Sequence, residues 1–178
     1  MTKSILTTTL LLLLLLLLFQ TEASRLGREK LTNLHFYLHD IFTGPYPTAV
    51  QVASAPSTNT SKTFFGAIMV IDDPLTERPD PTSRLVGRAQ GTYASTSSGG
   101  AIGFSMMMNL VLLEGKYNGS TLVVVGMNKP FSRVREMAVV GGTGEFRFAR
   151  GYAEAKTYRL ENATKNANVE YNVFVLHH

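Results

Sequence analysis

Cysteine is missing from all 178 residues. That excludes disulfides, thiol nucleophiles and zinc-thiolate centres, so an exported form of this chain has to be held together by its core alone. Helical periodicity is a second absence: past the first two dozen residues, no stretch sustains an apolar residue at every third or fourth position. Lysine and arginine are not gathered either. The net charge is only +4, and this thin spread gives no footprint for nucleic acid, although a basic balance suits loose attachment to an acidic polysaccharide. The glycine-rich Gly141-Gly142-Thr143-Gly144 has no lysine after it and no helix to open, which makes it a tight turn between strands rather than a phosphate loop.

Long apolar runs are absent too, with one exception. After Met1-Thr2-Lys3 the chain is apolar through an unbroken series of leucines, 10–18, and then passes to small residues at Thr21 and Ala23. A charged start, a short apolar stretch and small residues before a cut after Ala23 predict a secretory signal peptide over 1–23, leaving one domain over 24–178. The run is shorter than the roughly 20 residues of a membrane anchor, and no second candidate follows, so the mature chain is expected to be secreted, with no membrane attachment. About 155 residues are enough to bury a core without cross-links. Three Asn-x-Ser/Thr sequons begin at Asn59, Asn118 and Asn162 and are expected glycan acceptors on surface loops.

What fills the rest is strand-length runs of β-branched and aromatic residues, at 34–41, 48–53, 64–71, 85–93, 102–113, 121–125, 134–140, 146–156 and 169–176. Turn-forming residues separate them: Gly44-Pro45, the proline-rich 72–81, Gly99-Gly100, Asn118-Gly119 and the glycines at 141–144. Eight or nine strands joined by short turns predict an all-β fold. Its form is an eight-stranded antiparallel β-barrel, which hides both sheet edges and keeps a central pocket for one small ligand; a two-sheet sandwich is the rival.

Alternation then marks polar side chains on apolar faces. In Leu34-His35-Phe36-Tyr37-Leu38-His39-Asp40 the Leu/Phe face also carries Asp40, which therefore points inward near a strand end. The same parity places Arg150 inside with Phe146, Phe148 and Tyr152. Two readings stay open. A desolvated carboxylate has a raised pKa and suits proton transfer near neutral pH, whereas an Asp40–Arg150 ion pair would be structural only. His35 and His39 read as a solvated outer face, and Met106, Met107 and Met108 as core packing.

These blocks, "FYLHDI" at 36–41, "FFGAIMVIDDPLT" at 64–76, "LVGRAQGTYA" at 85–94, "EGKYNGSTL" at 114–122, "VREMAVVGGTGEFRFARGYA" at 134–153 and "VEYNVFVL" at 169–176, resemble those of the plant dirigent proteins. The resemblance implies an eight-stranded barrel, assembled as a homo-oligomer (dimer or trimer) in the apoplast. It also implies a phenolic small-molecule substrate, held as a phenoxy radical or quinone methide so that one stereoisomer forms. No resident cofactor or metal is implied, and an external laccase or peroxidase is the expected oxidant source. Matched by motif, Asp40 and Glu145 stand as catalytic carboxylates, and Tyr93 and Arg150 as substrate-binding groups. Glu145 replaces a typical aspartate of lignan-forming members, and Ala94-Ser95-Thr96-Ser97-Ser98 replaces further aromatics. Both departures point away from the pinoresinol-forming subgroup. Three functions are therefore expected in descending order: stereodirection of coupling, a pterocarpan-synthase-like dehydratase acting on an isoflavanol, and a cell-wall binding module.

Overall fold

The computed structural model describes residues 27–178 together with Leu10 and Leu12. Apart from those two leucines, the signal peptide expected over 1–23 lies outside the described residues. Nine strands follow one another: β1 Lys30–Asp40, β2 Ala49–Ala53, β3 Ile68–Thr76, β4 Leu85–Ser95, β5 Phe104–Leu112, β6 Thr121–Asn128, β7 Arg135–Thr143, β8 Arg150–Leu160 and β9 Ala167–His177. Every pairing is antiparallel, in the order β1-β9-β8-β7-β6-β5-β4-β3-β2. Closure comes from β1, whose Tyr37 and Leu38 pair with Thr76 and Leu75 of β3. Eight strands thus form a closed barrel, and the short β2 takes over the rest of β3 beyond β1, from Ala49 opposite Ile71.

Inside, the alternation read from the sequence holds on most strands. Phe36 and Leu38, Met106 and Met108, Leu122 and Val124, and Val173 and Val175 are all buried; each such side chain contributes about 1.5–3 kcal/mol of burial. Met107, between its two buried neighbours, is 59% exposed on the outer wall. His39 departs from the expected solvated face. It is buried on the outside of β1, where its Nε2 donates to the Thr76 hydroxyl at 2.7 Å, and that hydroxyl in turn donates to the Arg78 carbonyl.

Several strand boundaries differ from expectation, β7 running on through Gly141 and Gly142 to Thr143 where a turn was expected, and two of the differences bear on the site. First, β3 does not stop at the proline-rich segment but continues through Asp72, Asp73 and Pro74 to Thr76. Asp72 N donates toward β2, to the Thr48 carbonyl at 2.9 Å, so the nitrogen of Pro74, two residues on, faces the same side. There β3 is changing partner from Ala49 to Leu38, and the missing donor costs no ladder bond.

Second, 146–156 is not one strand. Gly144–Phe146 form a single 3-10 turn, and Phe148 takes a left-handed φ of 61° before β8 begins at Arg150. The glycines make the turn fit: Gly144 has φ 62°, and a Cβ on Gly142 would lie 2.8 Å from that of Phe146. An interrupted strand loses its parity. Phe146 is buried, Phe148 is 65% exposed, and Ala149 and Ala153 are the residues that face inward. Arg150 therefore lies outside, paired with Glu29 at 2.5 Å.

The end of the barrel where β1 begins and β9 finishes is sealed by rings. Phe146 lies 4.8 Å from both Tyr117 and His177, centroid to centroid. His177 is fully buried. Its Nδ1 faces the Glu145 carbonyl at 2.8 Å, which can only accept, so Nδ1 carries the proton and Nε2 accepts from the Thr32 hydroxyl at 2.9 Å.

Candidate functional site

Among the residues picked out from the sequence, the structure brings together only Asp40 and Tyr93. The Tyr93 hydroxyl donates to Asp40 Oδ2 at 3.4 Å, while Asp40 Oδ1 is buried with no hydrogen-bond partner. Glu145 and Arg150 belong to the other end. Arg150 pairs with Leu176, which pairs with Leu31, nine strand positions before Asp40, or about 30 Å at ~3.3 Å per residue. Glu145 is exposed, and its backbone rather than its carboxylate is engaged: its N–H donates to the Ser120 hydroxyl, and its carbonyl accepts from His177. Neither reaches the barrel interior, so the expectation that they act beside Asp40 is corrected.

In their place the fold supplies two residues that the sequence reading passed over. Asp73 follows Met69 and Ile71 on the inward parity of β3 and is 1% exposed. The Thr48 hydroxyl donates to its Oδ1 at 2.6 Å. Burial, with a smaller contribution from the charge of neighbouring Asp40, pushes the Asp73 carboxyl up to about 8. Asp40 is itself raised by burial, to about 6, against the Tyr93 hydrogen bond, which favours its ionised form. Like charges in one dry site cannot both form readily, so the two carboxyls titrate as a pair that keeps a proton near neutral pH.

Arg135, on the inward parity of β7 with Met137 and Val139, is 4% exposed. Its Nε donates to Asn128 Oδ1 at 3.0 Å and its Nη1 to the Thr157 hydroxyl at 2.7 Å. Among the described residues it takes part in no ion pair. Burial lowers its pKa, as expected for a desolvated cation. Tyr171 lies between the two features: burial raises its hydroxyl pKa, Arg135 works against that rise, and both aspartates add to it. Aromatic rings line the same space, Phe36 stacking on Tyr171 at 5.7 Å and Phe104 meeting Tyr93 edge-on at 5.2 Å.

A flat apolar guest with oxygen at both ends suits this arrangement: proton-bearing carboxyls on one side, an uncompensated cation on the other, and rings between. No three or more carboxylates and histidines among the described residues are grouped to hold a metal. The three sequon asparagines are exposed, Asn59 in the turn Thr58–Thr60, Asn118 at a type II turn completed by Gly119 with φ 79°, and Asn162 between β8 and β9.

A closed barrel that buries an acid pair and an arginine is the class of protein the fold and site define. The model of the family described as dirigent-like protein matches residues 31–176. Dirigent protein 1 of Arabidopsis thaliana is 56% identical over 149 residues, 84% of this chain and 80% of that protein. Pterocarpan synthase 1 of Glycyrrhiza echinata is 48% identical over 151 residues, 84% of this chain and 80% of its own length. A solved pterocarpan synthase dirigent protein, 48% identical, superposes with a TM-score of 0.80 over 85% of this chain and 87% of that one. The chain belongs to the dirigent family.

Proposed function

We propose that the barrel binds a phenolic alcohol, removes its benzylic hydroxyl as water, and controls the face on which the resulting quinone methide is trapped. The observation that carries this reading is the buried Asp40–Asp73 pair with one carboxylate oxygen left unpartnered. A carboxyl that keeps its proton near neutral pH can donate it to a leaving hydroxyl. In that step the carbon–oxygen bond breaks, water departs, and the phenolic proton passes to a base as its oxygen becomes the quinone carbonyl. A second hydroxyl of the same molecule then attacks the methide carbon, its proton restores the carboxyl, and the base returns the phenolic proton as the quinone carbonyl becomes a phenol again. Nothing is oxidised or reduced. Arg135 supports the phenolic oxygen as it gains negative character, and the Phe36, Tyr171 and Phe104 rings fix the plane that decides which face is attacked. Likeness to pterocarpan synthases makes an isoflavanol the first substrate to try.

Stereodirected coupling of phenoxy radicals, with an external laccase or peroxidase as oxidant, is the second reading. It uses the same pocket, but radical–radical bond formation requires no proton donor, and the acid pair weighs toward dehydration. A screen of phenolic substrates with and without a one-electron oxidant, read by chiral chromatography, separates the two. Dehydration gives one enantiomer without oxidant; enantiomeric excess only when oxidant is present would replace it with coupling. Racemic product under both conditions would reject both.

A further inference from the structure

Residues 54–67 connect β2 to β3, fourteen residues where neighbouring antiparallel strands need two to five. The segment is not slack. Buried Thr58 accepts from Ala55 N at 2.9 Å and donates to the Phe65 carbonyl at 2.8 Å, and the Ser61 hydroxyl accepts from Phe65 N at 3.2 Å. Phe64 is held at φ 58°, a left-handed conformation that a non-glycine residue keeps only where its surroundings enforce it. Two bonds of 2.5 Å staple the segment to its neighbours, the Thr63 hydroxyl donating to the Ser97 carbonyl of the 96–103 loop and the Ser95 hydroxyl, at the end of β4, donating to the Thr63 carbonyl.

Between these two braced loops lies a cleft of about 420 Å³, outside the barrel interior. It is lined by Ser57, Thr60, Lys62, Phe65, Ser98, Gly99 and Gly100, with no acidic residue among its lining. Lys62 is in none of the ion pairs of the described residues. Hydroxyls and backbone amides match the many donors and acceptors of a sugar, an exposed ring matches the C–H face of a pyranose, and a free ammonium matches a carboxylate. The surrounding charge agrees. In an up-and-down barrel alternate loops share an end, and the loops on this one (41–48, 54–67, 96–103, 129–134, 161–166) carry Lys62, Lys129, Arg133 and Lys165 against Glu161 alone. Loops 77–84, 113–120 and 144–149 at the other end balance Arg78, Arg84, Lys116 and Arg147 with Glu77, Asp80, Glu114 and Glu145.

We propose that the cleft between the 54–67 and 96–103 loops binds a uronic acid unit of an acidic oligosaccharide, as a second site independent of the phenolic pocket. Titration calorimetry of the protein with trigalacturonic acid, with neutral maltotriose as comparator, tests it. Trigalacturonate should bind and maltotriose should not, and binding should weaken as salt rises. Lys62→Glu should weaken it by about tenfold or more, the scale of one charge-assisted hydrogen bond, and Phe65→Ser should weaken it as well. Both variants should keep the wild-type melting temperature and the turnover of a phenolic substrate. Equal binding of the two trisaccharides, binding of neither, or undiminished binding to Lys62→Glu would overturn the proposal.

Discussion

At the end of the barrel where the chain enters and leaves, Phe146, Tyr117 and His177 pack ring against ring, and both nitrogens of His177 have a partner. Where β1 stops, Asp40 keeps a buried oxygen without one, Asp73 is raised to about 8, and Arg135 is in none of the ion pairs of the described residues. Both regions bury polar groups. In the first every demand is met inside the protein, so the groups fix the structure; in the second the demands are left over, and a guest can satisfy them. Buried polarity alone does not mark a site in this barrel; Asp40 stands out because its unmet oxygen lies beside a second carboxyl, whereas the other unpartnered oxygen, Asn168 Oδ1, belongs to an amide whose Nδ2 donates to the Pro79 carbonyl at 2.7 Å.

The largest effect should come from Asp40→Asn, which removes the acid but keeps the shape. Turnover should fall by about 10²–10⁴-fold, the usual worth of general acid catalysis, with the melting temperature held or raised. Full activity in this variant would leave the unmet oxygen without a role. At the sealed end, Phe146→Ala should cost about 3–5 kcal/mol of unfolding free energy in denaturant titration. Its turnover number should stay at the wild-type value at temperatures where it is folded, and a loss of chemistry at full folding would mean that the two ends are coupled.

Asp73→Asn sharpens the contrast through pH. Because its folded pKa is raised, the native chain holds a proton that the unfolded chain releases above about pH 4, so wild-type stability should fall as pH climbs from about 4 toward 8. The variant escapes this loss. Thermal melts should show it more stable than wild type at pH 8, with the gap closing by pH 4; a gap independent of pH would refute a raised carboxyl. Smallest of all should be the effect of Arg150→Gln or Glu145→Gln. Both side chains are on the surface, and kinetics should change by less than about twofold, in keeping with the small worth of exposed ion pairs.

Much of this was legible from alternation. Leu34, Phe36, Leu38 and Asp40 share an apolar parity, and β1 does carry Asp40 to the interior. Identical logic would have found Asp73, which follows Met69 and Ile71 in step, had the proline-rich 72–81 not been read as a turn that ended the strand at Ile71. Arg135 was harder, because Ala138 and Val140 make the opposite face of β7 as apolar as its own. His39 could not be placed by pattern, since the loop that covers it returns from residues 76–78.

Strand-length runs, turn residues and a period of two determined by themselves that this chain is an antiparallel all-β fold, because side chains on a pleated strand must alternate; that it closes as a barrel rather than packing as a sandwich was decided by the pairing of β1 with β3. Which carboxylate and which arginine meet inside was decided only in three dimensions. One left-handed residue at Phe148 breaks the count and sends Arg150 outward, and a change of partner strand at Pro74 lets β3 run on and carry Asp73 inward. Parity is a local rule, and a single bulge or a borrowed neighbour, set by distant parts of the chain, is enough to invert it.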